Sequence, residues 1–202
     1  MGKIMGWIAK GNKKAITDLK QQSGNITESI QELKQILSDY HNIERKDRKS
    51  RLSVISSRHS KNLEIYNKVS KELNENHSAR NSSLRKISYL LERNSYIINN
   101  IGQDLAVFGV ERIENNIHGL LESFIEIQKD SLELINGSRT KNASEKIQES
   151  LSEAQSLLND SLADLFHYHK NPIDLIKYLE IYRLFSKFVE NASQASLEIQ
   201  LT

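Results

Sequence analysis

Residues 84–108 read LRKISYLLERNSYIINNIGQDLAVF. Within them Leu84, Ile87, Leu91, Asn94, Ile98, Ile101, Leu105 and Phe108 follow one another at steps of three or four. That is the period of a helix with one buried stripe and a wet back. A strand would place apolar residues at every second position, and no part of the chain does so. The same period runs outward in both directions. Upstream it passes through Ile16, Leu19, Ile26, Ile30, Leu33, Leu37 and Tyr40, then through Leu52, Ile55, Leu63, Tyr66, Val69 and Leu73. Downstream it passes through Ile113, Ile117, Leu120, Phe124, Ile127 and Leu134, then Ile147, Leu151, Ala154, Leu158, Leu162 and Leu165. It ends with Leu175, Tyr178, Tyr182, Phe185, Val189, Ala192 and Ile199.

The interruptions are polar. Asn42 to Ser50 reads as a charge-dense connector, and Asn74 to Ser83 is rich in Asn and Ser, which favour caps over helix interiors. Gly109 marks a short joint, and Asn136-Gly137-Ser138 a turn at a helix C-terminus. Asn171-Pro172 opens the last helix, since a Pro in the first turn has no N–H to leave unpaired. The expected fold is all-α: an elongated antiparallel bundle of about six helices joined by short loops.

Composition agrees and excludes much else. Of 202 residues 38% are hydrophobic, with one Pro, eight Gly and no Cys. The mean hydropathy is −0.55. There are too few turn formers for a β-sandwich, and no thiols for a disulfide scaffold, a thiolate zinc finger or a Cys nucleophile. No apolar run is long enough to span a membrane. Met1 to Trp7 is too short for a secretory signal, and Gly6 breaks the myristoylation pattern that Gly2 would begin. The expected location is the cytoplasm. A net charge of +2 and 6% aromatic residues give no argument for nucleic acid as a partner.

Little in the sequence suggests chemistry. There is no phosphate-cradling glycine loop, no nucleophile elbow and no HExxH. His167 and His169 are two apart, on different sides of a helix, and share a metal only if their joint is a loop. Asp160 and Asp164 share a helix face, but Leu158, Leu162 and Leu165 point the buried stripe elsewhere, so a solvated face is expected. Two basic features remain. Arg45, Lys46, Arg48, Lys49 and Arg51 cluster around Asp47. An N-terminal head, residues 1–12 and the start of the first helix, carries Lys3, Lys10, Lys13 and Lys14 beside Ile4, Trp7 and Ile8. Cationic and apolar sides together suit an anionic membrane surface or a membrane protein's loops. Both are also compatible with a solvated loop and a frayed helix start.

The last segment adds a resemblance. Residues 171–192, NPIDLIKYLEIYRLFSKFVENA, resemble the closing segment of the PhoU-like phosphate transport regulators that accompany Pit transporters. The likeness lies in Asn171, Pro172, Ile173 and Asp174, then Ile176, Lys177 and Tyr178, then Glu180, Ile181 and Tyr182. Sparser likenesses follow in order at 59–73, 84–101 and 151–166. The resemblance implies one domain of two three-helix repeats, about 13–108 and 110–200. It also implies a non-catalytic cytoplasmic regulator, peripheral at the membrane's inner face and in contact with a phosphate permease. Members of that family carry pairs of carboxylates four apart on each of four helices, which hold metal ions. The matching positions here are His59 and Leu63, Ser95 and Asn99, Leu151 and Gln155, and Ser186 and Glu190. Only Glu190 is a carboxylate, so neither the family's metal clusters nor any other cofactor is expected. Alternatives stay open at this stage: a helical scaffold or coiled-coil module unrelated to phosphate, a homo-oligomer, or an enzyme.

Overall fold

A computed structural model describes residues 13–40, 42–74, 78–108, 115–136, 141–168 and 171–201. Among them there are six α-helices and no strand. They are α1 (Lys13–Ser38), α2 (Arg45–Asn74), α3 (Ala79–Phe108), α4 (Asn115–Ile135), α5 (Lys141–Tyr168) and α6 (Pro172–Leu201). The protein is an all-α helical bundle.

Cross-helix pairs set the directions. Asp18 meets Lys68 and Glu32 meets Arg51, so α1 and α2 run antiparallel. Ser56 meets Asn99 and Tyr66 meets Tyr89, which makes α3 antiparallel to α2. Asn116–Asp164 and Asp130–Ser150 do the same for α4 and α5. Lys86–Glu198 and Phe108–Lys177 do so for α3 and α6. Four helices close an inner ring through the contacts α1–α3, α3–α6, α6–α4 and α4–α1. Helix α2 lies in the groove between α1 and α3, and α5 in the groove between α4 and α6. In both halves the second helix is therefore the outer one.

Helix ends follow local chemistry. Asn171 caps α6: its Oδ1 accepts from the Ile173 amide at 3.0 Å and its Nδ2 donates to Asp174 at 3.0 Å. Helix α2 starts earlier than the polar composition predicts. Arg45 to Ser50 belong to the helix, and the connector shrinks to the residues before Arg45. Arg and Lys are good helix formers, and Asp47 supplies negative charge in the first turn. Likewise Ala79 to Ser83 are helical, and Ser78 caps α3 by accepting from the Asn81 amide at 3.2 Å.

The core differs between halves. In the second half it is aromatic. Phe124 of α4 stacks on Phe188 of α6 with centroids 3.8 Å apart, and Phe185 and Tyr182 continue the cluster. In the first half three helices meet at a buried polar network. Gln22 Nε2 donates to the Asn62 carbonyl at 3.2 Å and to the Ser88 carbonyl at 3.3 Å. The Ser88 hydroxyl donates back to Gln22 Oε1 at 2.8 Å. Asn62 Nδ2 donates to the Gln22 carbonyl at 3.3 Å and Asn62 Oδ1 accepts from Asn25 at 2.7 Å. A slide of α2 along α1 would leave these groups buried and unpaired, so the network holds register. It also displaces the expected stripe of α2. Asn62 and Ile65 point inward, while Leu63 is 41% exposed.

Candidate partner-binding surfaces

The eight positions singled out by the resemblance fall on four helices: 59 and 63 on α2, 95 and 99 on α3, 151 and 155 on α5, 186 and 190 on α6. Between α2 and α3 these positions make contacts with other neighbours, through neutral groups. The Asn99 Oδ1 accepts from the Ser56 hydroxyl at 2.7 Å. The rings of His59 and Tyr96 lie 5.7 Å apart, and the Arg93 guanidinium sits 4.8 Å over Tyr96. Ser95 is buried and Leu63 faces solvent. Between α5 and α6, Leu151, Gln155 and Glu190 border a surface cleft of about 450 Å³. Leu151 is buried, Gln155 donates to Asn159 at 3.2 Å, Ser186 is half-buried and Glu190 is exposed. Among the described residues no group of three His, Asp or Glu is placed to hold a metal ion.

His59 illustrates what the neutral groove does to charge. Burial, aided by Arg93, pushes its pKa below the ordinary histidine value, and its Nδ1 is buried without a hydrogen-bond partner among the described residues. The neutral ring is thus the form that fits the fold. Its contribution to stability is complete above the unfolded pKa of about 6.5 and is lost as pH falls through the lower folded value. Denaturant titrations at pH 7.5 and 5.5 should show a larger acid loss for the native chain than for His59→Gln. Equal losses would show that His59 carries none of the acid sensitivity.

The basic cluster rides on the first turns of α2. Arg51 is turned inward onto Glu32 at 2.5 Å and Gln35 at 2.8 Å. The Arg48 guanidinium lies 4.2 Å over the Tyr40 ring. Arg45, Lys46 and Lys49 are exposed and make no ion pair among the described residues. Arg45, Arg48 and Lys49 border a cleft of about 840 Å³ formed by the end of α1, the start of α2 and the end of α3. Its walls include Leu33, Leu37, Leu52 and Leu105.

The same end of the bundle carries the most exposed large apolar side chains. Val107 is 78% exposed at the end of α3, Ile173 65% and Ile176 66% at the start of α6, and Phe166 62% near the end of α5. Lys177 Nζ donates to the Phe108 carbonyl at 3.1 Å and ties the ends of α3 and α6 together. Isolated exposed apolar residues are ordinary, but here four lie at the same end of the bundle. Sequence periodicity missed them because each lies off its helix's stripe. Their common location depends on helix directions that no single segment encodes.

The remaining candidates separate. Lys3, Trp7 and Lys10 of the head lie outside the described residues. Lys13 and Lys14 begin α1 at the opposite end from the cleft, both exposed, with Lys14 paired to Glu72. His167 lies in α5, whereas His169 lies outside the described residues. Asp160 and Asp164 are exposed, as their offset from the stripe predicts, and Asp164 accepts from Asn116 at 3.3 Å. In comparisons with known proteins, the sequence matches no protein-family model and no curated protein.

Proposed function

We propose that this chain is a non-catalytic accessory protein that works by contact with a protein partner at the cytoplasmic face of a membrane. The observation that carries the reading is the gathering of Val107, Phe166, Ile173 and Ile176 at the same end of the bundle as Arg45, Lys46 and Lys49, which are exposed and make no ion pair among the described residues. Exposed apolar side chains beside exposed cations suit a partner that presents apolar surface close to anionic lipid headgroups. The resemblance of the final helix to PhoU-like regulators makes a Pit-type phosphate permease the partner of choice. The scarcity of carboxylates at the metal-matching positions, where only Glu190 is one, favours contact over metal chemistry.

The test is co-purification from membranes that contain such a permease. Ile173→Glu with Ile176→Glu should cut recovery at least tenfold, because charges would then have to be desolvated in the contact. Both residues are exposed near the N-terminus of α6, where acidic side chains are favourable, so the fold should survive. Undiminished recovery would remove this end from the contact. A second reading, a helical scaffold unrelated to phosphate, draws on the side face. There Leu63 and Tyr96 are exposed beside His59, and Tyr89 packs against Tyr66. Retention of a soluble partner, lost with Leu63→Glu and not with the α6 variant, would select it.

A further inference from the structure

The net charge of +2 hides a polarised molecule. Helix α2 holds nine Lys and Arg against three Asp and Glu, a net of +6. Helix α4 holds four acidic residues against one Lys, and α5 five against two, a net of −3 each. The fold sorts these charges onto two faces. Lys46, Lys49, Lys61, Glu64, Lys68 and Lys71 are all exposed and fall within about a third of the α2 circumference. Lys68 is taken up by Asp18 at 2.8 Å, whereas Lys46, Lys49, Lys61 and Lys71 make no ion pair among the described residues. On α5, Glu145, Glu149, Glu153, Asp160 and Asp164 are exposed and share a stripe of similar width. Glu153 lines one groove with Glu122 and Glu126 of α4. Lys34 and Lys129 neutralise those two, but Glu149, Glu153 and Asp160 make no ion pair among the described residues. Negative charge is dense enough here to act on its neighbours. Burial pushes the Asp130 pKa up, and the charges of Glu133 and Glu126 push the same way.

Helix α2 packs on the α1–α3 side of the inner ring and α5 on the α4–α6 side, so the two faces point in opposite directions. About 20 Å of packed helix separates them. Charges are screened beyond about 8 Å at physiological salt, so neither face neutralises the other within one molecule. Their lengths are comparable: about 37 Å from Lys46 to Lys71 and about 28 Å from Glu145 to Asp164. An anionic membrane or a nucleic acid would answer the basic face alone. A second copy answers both.

We propose that the outward face of α2 docks on the α5 face of a second copy of this chain. The contact joins unlike faces, so every copy keeps one free face of each sign, and association continues into a row or closes into a ring. Exposed charges hold it, which makes it weak and sensitive to salt. Both faces run along the sides of the bundle. The association thus goes beyond the accessory role above and does not depend on what the exposed apolar end contacts.

Sedimentation velocity of the full chain over a range of concentrations tests the proposal. In about 50 mM salt the mean sedimentation coefficient should rise with concentration, and in about 500 mM salt it should stay that of a monomer. Lys61→Glu with Lys71→Glu should weaken association at least tenfold, and so should Glu149→Lys with Glu153→Lys. All four residues are exposed, and Lys and Glu are both good helix formers, so the fold should survive. Mixing the two variants should restore association, because the native α2 of one then meets the native α5 of the other. Restoration also excludes misfolding as the cause of the loss. A chain that stays monomeric in low salt would overturn the proposal, as would association that either variant leaves intact. So would co-sedimentation of a monomeric native chain with phosphatidylglycerol vesicles that is lost in the α2 variant. That pattern assigns the basic face to a membrane surface instead.

Discussion

Phe124→Ala is expected to lower the free energy of unfolding by about 3–5 kcal/mol. In a chain of this size that corresponds to a fall in Tm of roughly 10 °C. Phe124 is fully buried and belongs to the face that α4 presents to α6. Its ring lies nearly parallel to Phe188, with an interplanar angle of 10°, and 5.3 Å from Phe185. Truncation therefore removes the transfer energy of one large side chain and strips two other rings of their contacts. The surroundings are packed core between helices of the inner ring and cannot collapse freely, so most of the void should persist. Chemical denaturation is the measurement. A loss below about 1 kcal/mol would mean that the cluster is not the packing centre of the second half.

The second large effect has the opposite sign. Asn94→Leu should stabilise the protein by about 1–3 kcal/mol, the cost of burying polar atoms that lack partners. Asn94 is fully buried, and neither its Oδ1 nor its Nδ2 has a hydrogen-bond partner among the described residues. It sits in the stripe of α3 among Leu90, Leu91, Ile97 and Ile98, all buried. Leucine is close in size, so the change exchanges polarity with little change of shape. A raised urea midpoint with an unchanged m-value is the expected result. A lowered midpoint would show that the amide has a partner that leucine cannot replace.

Asn94 also shows what the sequence made legible. Its place in the stripe followed from spacing alone, because steps of three and four ignore chemistry and report only direction. The helices of the inner ring were readable in the same way, as was the Asn171-Pro172 cap. Helix α2 was less so. Apolar spacing put Leu63 inside, but Gln22 and Ser88 recruit Asn62 instead. A polar residue that is buried because its partners lie on two other helices leaves no local signal. The start of α2 resembles a connector in sequence because it is dense in charge, whereas Arg and Lys cost a helix almost nothing. Of the candidate sites, the basic cluster was visible as residues. Its meaning was not, since the apolar walls behind it come from positions near 35, 52 and 105, joined only by the fold. The exposed apolar end was invisible for the same reason.

The outer placement of α2 and α5 has a kinetic side. Each packs against two helices of the ring, while the ring closes without either of them. Detaching an outer helix breaks two interfaces and leaves four inner helices mutually covered on their remaining sides. Detaching an inner one opens the whole structure. Amide protons of α2 and α5 should thus exchange through partial openings, and those of α1, α3, α4 and α6 only at the limit of global unfolding. One wall of the cleft is α2 and the other two are inner helices. The wall that bears the cations is therefore also the one that can swing away at least cost.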